Sequence, residues 1–138
     1  MKKLKTLAFI SIFNVFGILL VGCTSNPSQT QPLANFQPEI VNNSDNFSFQ
    51  ATAVQNVSAT VLYTWSNSRT QATINHSSAI DSGSAMVKIL DANNIEVYNN
   101  VLMSSGTPAT TVGVAGNWTI KVTLTNVYGT LNFNTQKR

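Results

Sequence analysis

From Asp45 onward, apolar and polar residues take turns with a period of two, and this alternation constrains the fold more than any other feature of the chain. Phe47, Phe49, Ala51 and Ala53 alternate with Ser48, Gln50 and Thr52, and Ala59, Val61, Tyr63 and Trp65 alternate with Thr60, Leu62 and Thr64. Trp118, Ile120, Val122 and Leu124 are interleaved with Thr119, Lys121, Thr123 and Thr125, and Leu131 and Phe133 follow. Successive side chains of a strand point to opposite faces, so each run buries one face and leaves the other in water. Shorter pieces of the same pattern lie at 72–74, 85–90, 95–101 and 112–114. No stretch of this region carries the 3.6-residue stripe of an amphipathic helix.

Turn chemistry separates the runs. Asp91-Ala92-Asn93-Asn94 reads as a hairpin connection, because Asn tolerates positive φ. Asp81-Ser82-Gly83, Ser105-Gly106-Thr107-Pro108, Ala115-Gly116-Asn117 and Asn126-Val127-Tyr128-Gly129 read as further corners. The pattern predicts a single antiparallel β-sandwich, immunoglobulin-like or jelly-roll-like, of seven or eight short strands over residues 45–138. Roughly 94 residues suffice for one such core and not for two.

The chain begins differently. Lys2, Lys3 and Lys5 precede an apolar run, residues 7–21, broken only by Ser11 and Asn14 and ending at Gly22. At about 15 residues this run is shorter than the roughly 20 a spanning helix needs, and no basic stop-transfer flank follows it. The arrangement is that of an export signal over residues 1–22. Leu20-Val21-Gly22-Cys23 resembles the lipobox of bacterial lipoproteins. That resemblance implies cleavage before Cys23, a diacylglycerol on its thiol and attachment to a membrane. One acyl chain binds a membrane only marginally, whereas two or three hold durably. Thr24, where an Asp in that family favours the inner membrane, implies outer-membrane residence in a two-membrane cell. Residues 23–44, rich in Ser, Gln, Asn and Pro, read as the lipidated Cys and a flexible tether, although Leu33, Phe36 and Ile40 leave room for a first strand at its end.

Removing the signal changes the meaning of the charge. Three of the chain's eight Lys and Arg residues leave with it, so the remaining five balance the five Asp and Glu. The basic character of the full sequence is therefore no sign of nucleic-acid binding. Cys23 is the only cysteine, so no internal disulfide can form, and lipidation removes it as a nucleophile or metal ligand.

Gly116-Asn117-Trp118-Thr119-Ile120-Lys121-Val122 resembles a Gly-x-Trp-x-Ile-x-Val strand found near the C-terminal end of jelly-roll and immunoglobulin-like modules of bacterial exported proteins. The mature part as a whole resembles small bacterial lipoproteins of this strand pattern. These likenesses imply a sandwich and carry no activity with them.

Little in the sequence points to catalysis or metal binding. His76 is the only histidine and reads as a partly exposed residue at a strand end. With no second histidine and Cys23 lipidated, a zinc site has no donor set. Asp91, Asn93, Asn94 and Glu96 are rich in oxygen but lack the ligand spacing of a calcium loop, and a hairpin turn explains them. No cofactor is implied. Tyr63, Trp65 and Trp118 fall on the apolar parity and read as core; Tyr98, which shares its parity with Glu96 and Asn100, and Tyr128, in a turn, are the candidates for an exposed contact surface.

These observations favour a non-enzymatic, lipid-anchored envelope protein with a binding or structural module whose partner is another envelope component. Two alternatives have their own features. A carbohydrate-binding module would use Tyr98 or Tyr128. A protein-binding inhibitor or adhesin-like module would use residues 104–108 or an open strand edge.

Overall fold

The computed structural model describes residues 36–102 and 105–138. The export signal, Cys23, the tether up to residue 35, and Ser104 lie outside the described residues. Six strands make up the fold: β1 (Glu39–Asn42), β2 (Asn46–Asn67), β3 (Ala72–His76), β4 (Ala79–Leu90), β5 (Glu96–Val101) and β6 (Gly116–Lys137). All pair antiparallel in one sheet of order β1-β2-β6-β4-β5, with β3 also on β6, and the described residues contain no helix.

The expectation of seven or eight short strands is corrected by β2 and β6, each 22 residues long. The runs around Phe47 and Tyr63 are two halves of one strand, as are those around Trp118 and Phe133. The sheet folds back on itself at their midpoints. Phe47 and Tyr63, sixteen positions apart on β2, would lie roughly 50 Å apart on a straight strand, yet their ring centroids are 5.2 Å apart.

The fold-back comes from register shifts. Pairing of β2 with β6 slips between Ala51 and Ala59, and pairing of β4 with β6 slips between Ile80 and Ser84. Each extra residue on one strand bends the pair and increases its twist. Positive φ values gather here, at Ala53 (52°), Asn56 (51°), Gly83 (79°), Asn126 (47°) and Gly129 (130°). The segments 81–83 and 126–129, which read as corners between strands, are thus bends inside continuous ones. The 112–114 piece forms no strand.

The inner surface of the folded sheet holds one core. Phe47, Phe49, Phe133, Leu131 and Ile74 from one half meet Trp65, Trp118, Ile120, Val122, Val87 and Ile89 from the other. Trp65 and Trp118 are cross-strand partners with rings edge to face, centroids 6.1 Å apart, an arrangement that contributes about 0.5–1.5 kcal/mol beyond burial. Their indole N–H groups donate to the carbonyls of Asn43 (3.1 Å) and Val114 (2.7 Å), so neither is buried unpaired.

The tether boundary at residue 44 lies inside the fold. β1 pairs with β2 from Glu39↔Gln50 to Asn42↔Phe47, and Phe36 is buried near Phe49 with ring centroids 6.3 Å apart. An aromatic residue ahead of a short strand supplies enough buried surface to outweigh the Pro and Asn content around it.

Candidate functional site

Tyr128 sits where β6 bends. It is 41% exposed, and it lines an open groove of about 500 Å³ with Ala53, Gln55, Asp81 and Thr130. That volume falls within the range of roughly 300–1,000 Å³ usual for small-ligand sites. Three strands contribute: Gln55 from β2, Asp81 from β4, Tyr128 and Thr130 from β6.

The bulges decide which side chains reach the groove. Gly129 pairs with both Val54 and Ile80. A Cβ on Gly129 would overlap the carbonyl oxygen of Ala79, so only glycine lets the strands approach this closely. Beside it, Asn126 is tied to Ser58 across the bend. Non-glycine residues at positive φ persist only where surrounding structure holds them, and such positions gather at functional sites. Among the described residues, the side chains of Asp81, Gln55 and Thr130 accept or donate no hydrogen bond, and Asp81 has no ion-pair partner. Among the described residues, no Lys or Arg lines the groove.

Tyr98, the other candidate contact residue, is turned inward and only 8% exposed, contrary to the expectation of a surface tyrosine. The reason is a bulge: β4–β5 pairing runs Leu90↔Glu96 and then Ile89↔Tyr98, so Val97 is the extra residue and both Val97 and Tyr98 face the core. Strict alternation from Glu96 would have put Tyr98 outside. The two tyrosines therefore share no surface.

Tyr98 meets His76. Its hydroxyl lies 2.5 Å from His76 Nε2, whereas His76 Nδ1 is buried with no partner among the described residues. His76 ends β3 as expected but is 7% exposed, not partly exposed. It is covered because residues 106–110 run along the outer edge of β3: Ile74 N–H donates to the Pro108 carbonyl, His76 N–H to that of Gly106, and Thr110 N–H to that of Ala72. Burial holds the His76 imidazole below its ordinary pKa and pushes the Tyr98 phenol up. The described residues of the 104–108 segment thus close a sheet edge with their backbone.

Asp91 anchors the β4–β5 connection. Its Oδ1 accepts from the backbone N–H groups of Asn93 and Ile95, both at 2.9 Å, and its Oδ2 from Val114 at 2.8 Å. One oxygen of the carboxylate is spent on the turn and the other ties it to the segment ahead of β6, and Asn94 takes the positive φ (61°). Among the described residues no three His, Cys, Asp or Glu side chains come together.

Neither Gln55, Asp81 nor Thr130 stands out in the sequence. Their convergence depends on register shifts in two strand pairs, and the only sequence sign of these is Asn and Gly within strongly alternating runs.

The chain matches no protein-family model and no curated protein. A crystal structure of procruciferin, the 11S globulin of Brassica napus, is similar over 82% of this chain, at 19% identity and a TM-score of 0.38. This chain covers 28% of that one.

Proposed function

We propose that this chain is a membrane-anchored cell-envelope lipoprotein whose mature part is a non-catalytic β-sandwich, immunoglobulin-like or jelly-roll-like, that binds an envelope component through the groove beside Tyr128. The observation that carries this reading is the exposed Tyr128 ring beside the uncommitted side chains of Asp81 and Gln55, on backbone fixed by the bend. A binding role without catalysis is supported by His76, the sole histidine, whose Nε2 is engaged by Tyr98 in the interior. Anchoring rests on the lipobox at Cys23, with the outer membrane favoured in a two-membrane cell. β1 joins the sheet at Glu39, opposite Gln50 and next to the bend.

Two measurements test the proposal. Labelling with a radioactive fatty acid marks the wild type and leaves Cys23→Ala unmarked; equal labelling of the variant rules out the anchor. Immobilised mature domain retains material from solubilised envelope, and Tyr128→Ala or Asp81→Ala reduces that retention at least fivefold. Retention indifferent to both variants rules out the groove.

A second reading has an observation of its own. β1 covers β2 only from Phe47 to Gln50, so the later half of β2 has no strand on its outer side among the described residues, and Leu62 there is 64% exposed. An open edge is a template for an extended peptide, which suits an inhibitor or adhesin-like module. Leu62→Lys abolishing retention while Tyr128→Ala spares it would favour this reading.

A further inference from the structure

We infer that the groove beside Tyr128 takes a neutral glycan, one pyranose ring lying on the tyrosine face and its hydroxyls reaching Asp81, Gln55 and Thr130. This rests on the reading of the groove as a binding surface and names its ligand chemistry.

The lining selects against other classes. A phosphorylated or otherwise anionic ligand would meet the Asp81 carboxylate, and among the described residues no Lys or Arg in the lining offsets it. A divalent cation wants six or more oxygens, and the groove offers one carboxylate. An apolar ligand needs walls that are mostly apolar, whereas Gln55, Asp81, Tyr128 and Thr130 make up most of the side chains here. An organic cation is held by a cage of several aromatic rings, and among the described residues Tyr128 is the single aromatic in the lining.

What remains is a molecule with one face of C–H groups and a rim of hydroxyls. The electron-rich face of an aromatic ring attracts polarised C–H groups, and a flat ring over it excludes water. A carboxylate accepts from two hydroxyls at once and makes charge-assisted hydrogen bonds. The Gln55 amide both donates and accepts, as a vicinal hydroxyl pair requires, and Thr130 adds a hydroxyl. An open groove admits an internal unit of a chain as readily as its end. The Ser58–Asn126 tie and the close approach at Gly129 hold the platform before the ligand arrives, so little ordering accompanies binding.

The test titrates mature domain with chitotriose, cellotriose and maltotriose, followed by saturation-transfer NMR and calorimetry. At least one trisaccharide binds with a Kd on the order of 1 mM or tighter. Tyr128→Ala weakens it at least tenfold, Tyr128→Trp retains it, and Asp81→Asn weakens it several-fold, all with unchanged circular dichroism. Two outcomes overturn the inference: no trisaccharide binds up to about 10 mM, or binding is indifferent to Tyr128→Ala. Spermidine binding in place of sugar overturns it too. Periodate, which cleaves vicinal diols, separates this failure from that of the groove. Envelope retention that needs Tyr128 but survives periodate treatment of the envelope sinks the glycan and leaves the groove standing.

Discussion

The hydroxyl of Ser58 is tied twice to Asn126, 68 positions away: it accepts from the Asn126 backbone N–H at 2.9 Å and donates to Asn126 Oδ1 at 2.7 Å. Asn126 has a φ of 47°, a conformation in which Asn is the best tolerated of the non-glycine residues. The pair therefore fastens β2 to β6 where the sheet turns, two residues before Tyr128.

Ser58→Ala removes both bonds and leaves the groups exposed to water, which replaces them in part. The expected loss is about 0.5–1.5 kcal/mol in urea denaturation. Asn126→Gly should be milder than Asn126→Val, because a β-branched side chain at positive φ is strained however the hydrogen bonds are arranged. If the two substitutions cost the same, backbone conformation at 126 is not what the pair protects.

Gly129 and Gly106 make a matched contrast. At Gly129 the φ is 130° and a Cβ would overlap the Ala79 carbonyl; at Gly106 the nearest atom to a Cβ is Pro108 Cδ at 3.8 Å. Gly129→Ala is expected to destabilise by more than about 1 kcal/mol and to reduce envelope retention by shifting Tyr128. Gly106→Ala should leave both unchanged. Equal denaturation midpoints for the two variants would mean that β4 and β6 need not approach so closely at the bend.

The strand character of the chain was legible because alternation is a local property: Trp65, Trp118, Phe47 and Phe133 are all buried on the parity that reads as apolar. What alternation cannot carry is a change of parity. The Val97 bulge moved Tyr98 from the surface to the core, and the slips after Ala51 and Ile80 merged pairs of expected strands into long ones. Asn126 and Gly129 were visible as turn formers, but the same residues serve a corner between strands and a bend within one. Tyr128 was identifiable as exposed; Asp81 and Gln55 were not identifiable as its neighbours, since only the three-dimensional register joins them. His76 was misread because its cover, residues 106–110, has no alternation to announce an edge pairing.

The His76–Tyr98 contact predicts a pH response. Burial lowers the folded pKa of His76 from the ordinary 6.5, so below that value the unfolded chain binds a proton that the folded chain resists. The stability this contributes is complete above about pH 6.5 and is lost as pH falls through the lowered folded value. Urea midpoints of the wild type should therefore decline between about pH 7 and about pH 5, and His76→Gln should flatten that limb. Tyr98→Phe strips Nε2 of its partner while Nδ1 already lacks one, with an expected cost of about 1–3 kcal/mol at neutral pH. A flat wild-type profile over this interval would show that the folded state admits the proton freely.

A second limb is expected at lower pH, and it belongs to Asp91. The backbone N–H groups of Ile95, Val114 and Asn93 hold its carboxyl below the usual value of 3.8, against a smaller opposing effect of burial. A depressed folded pKa means that the unfolded chain takes up the proton first. The contribution is full above about pH 4 and disappears as pH falls through the folded value. Asp91→Asn keeps the shape but replaces one acceptor oxygen with an N–H₂ group facing a backbone donor, so it should lower the urea midpoint at pH 7 and weaken the acid limb. Glu96 titrates in the same region, its carboxyl lowered chiefly by the hydrogen bond from Lys88, with Nζ 2.6 Å from Oε2. That pair is half exposed, and exposed pairs contribute little, so Glu96→Gln should leave the acid limb almost intact. If Glu96→Gln flattens the limb and Asp91→Asn does not, the acid sensitivity of the fold resides in the surface pair and not in the turn that joins β4 to β5.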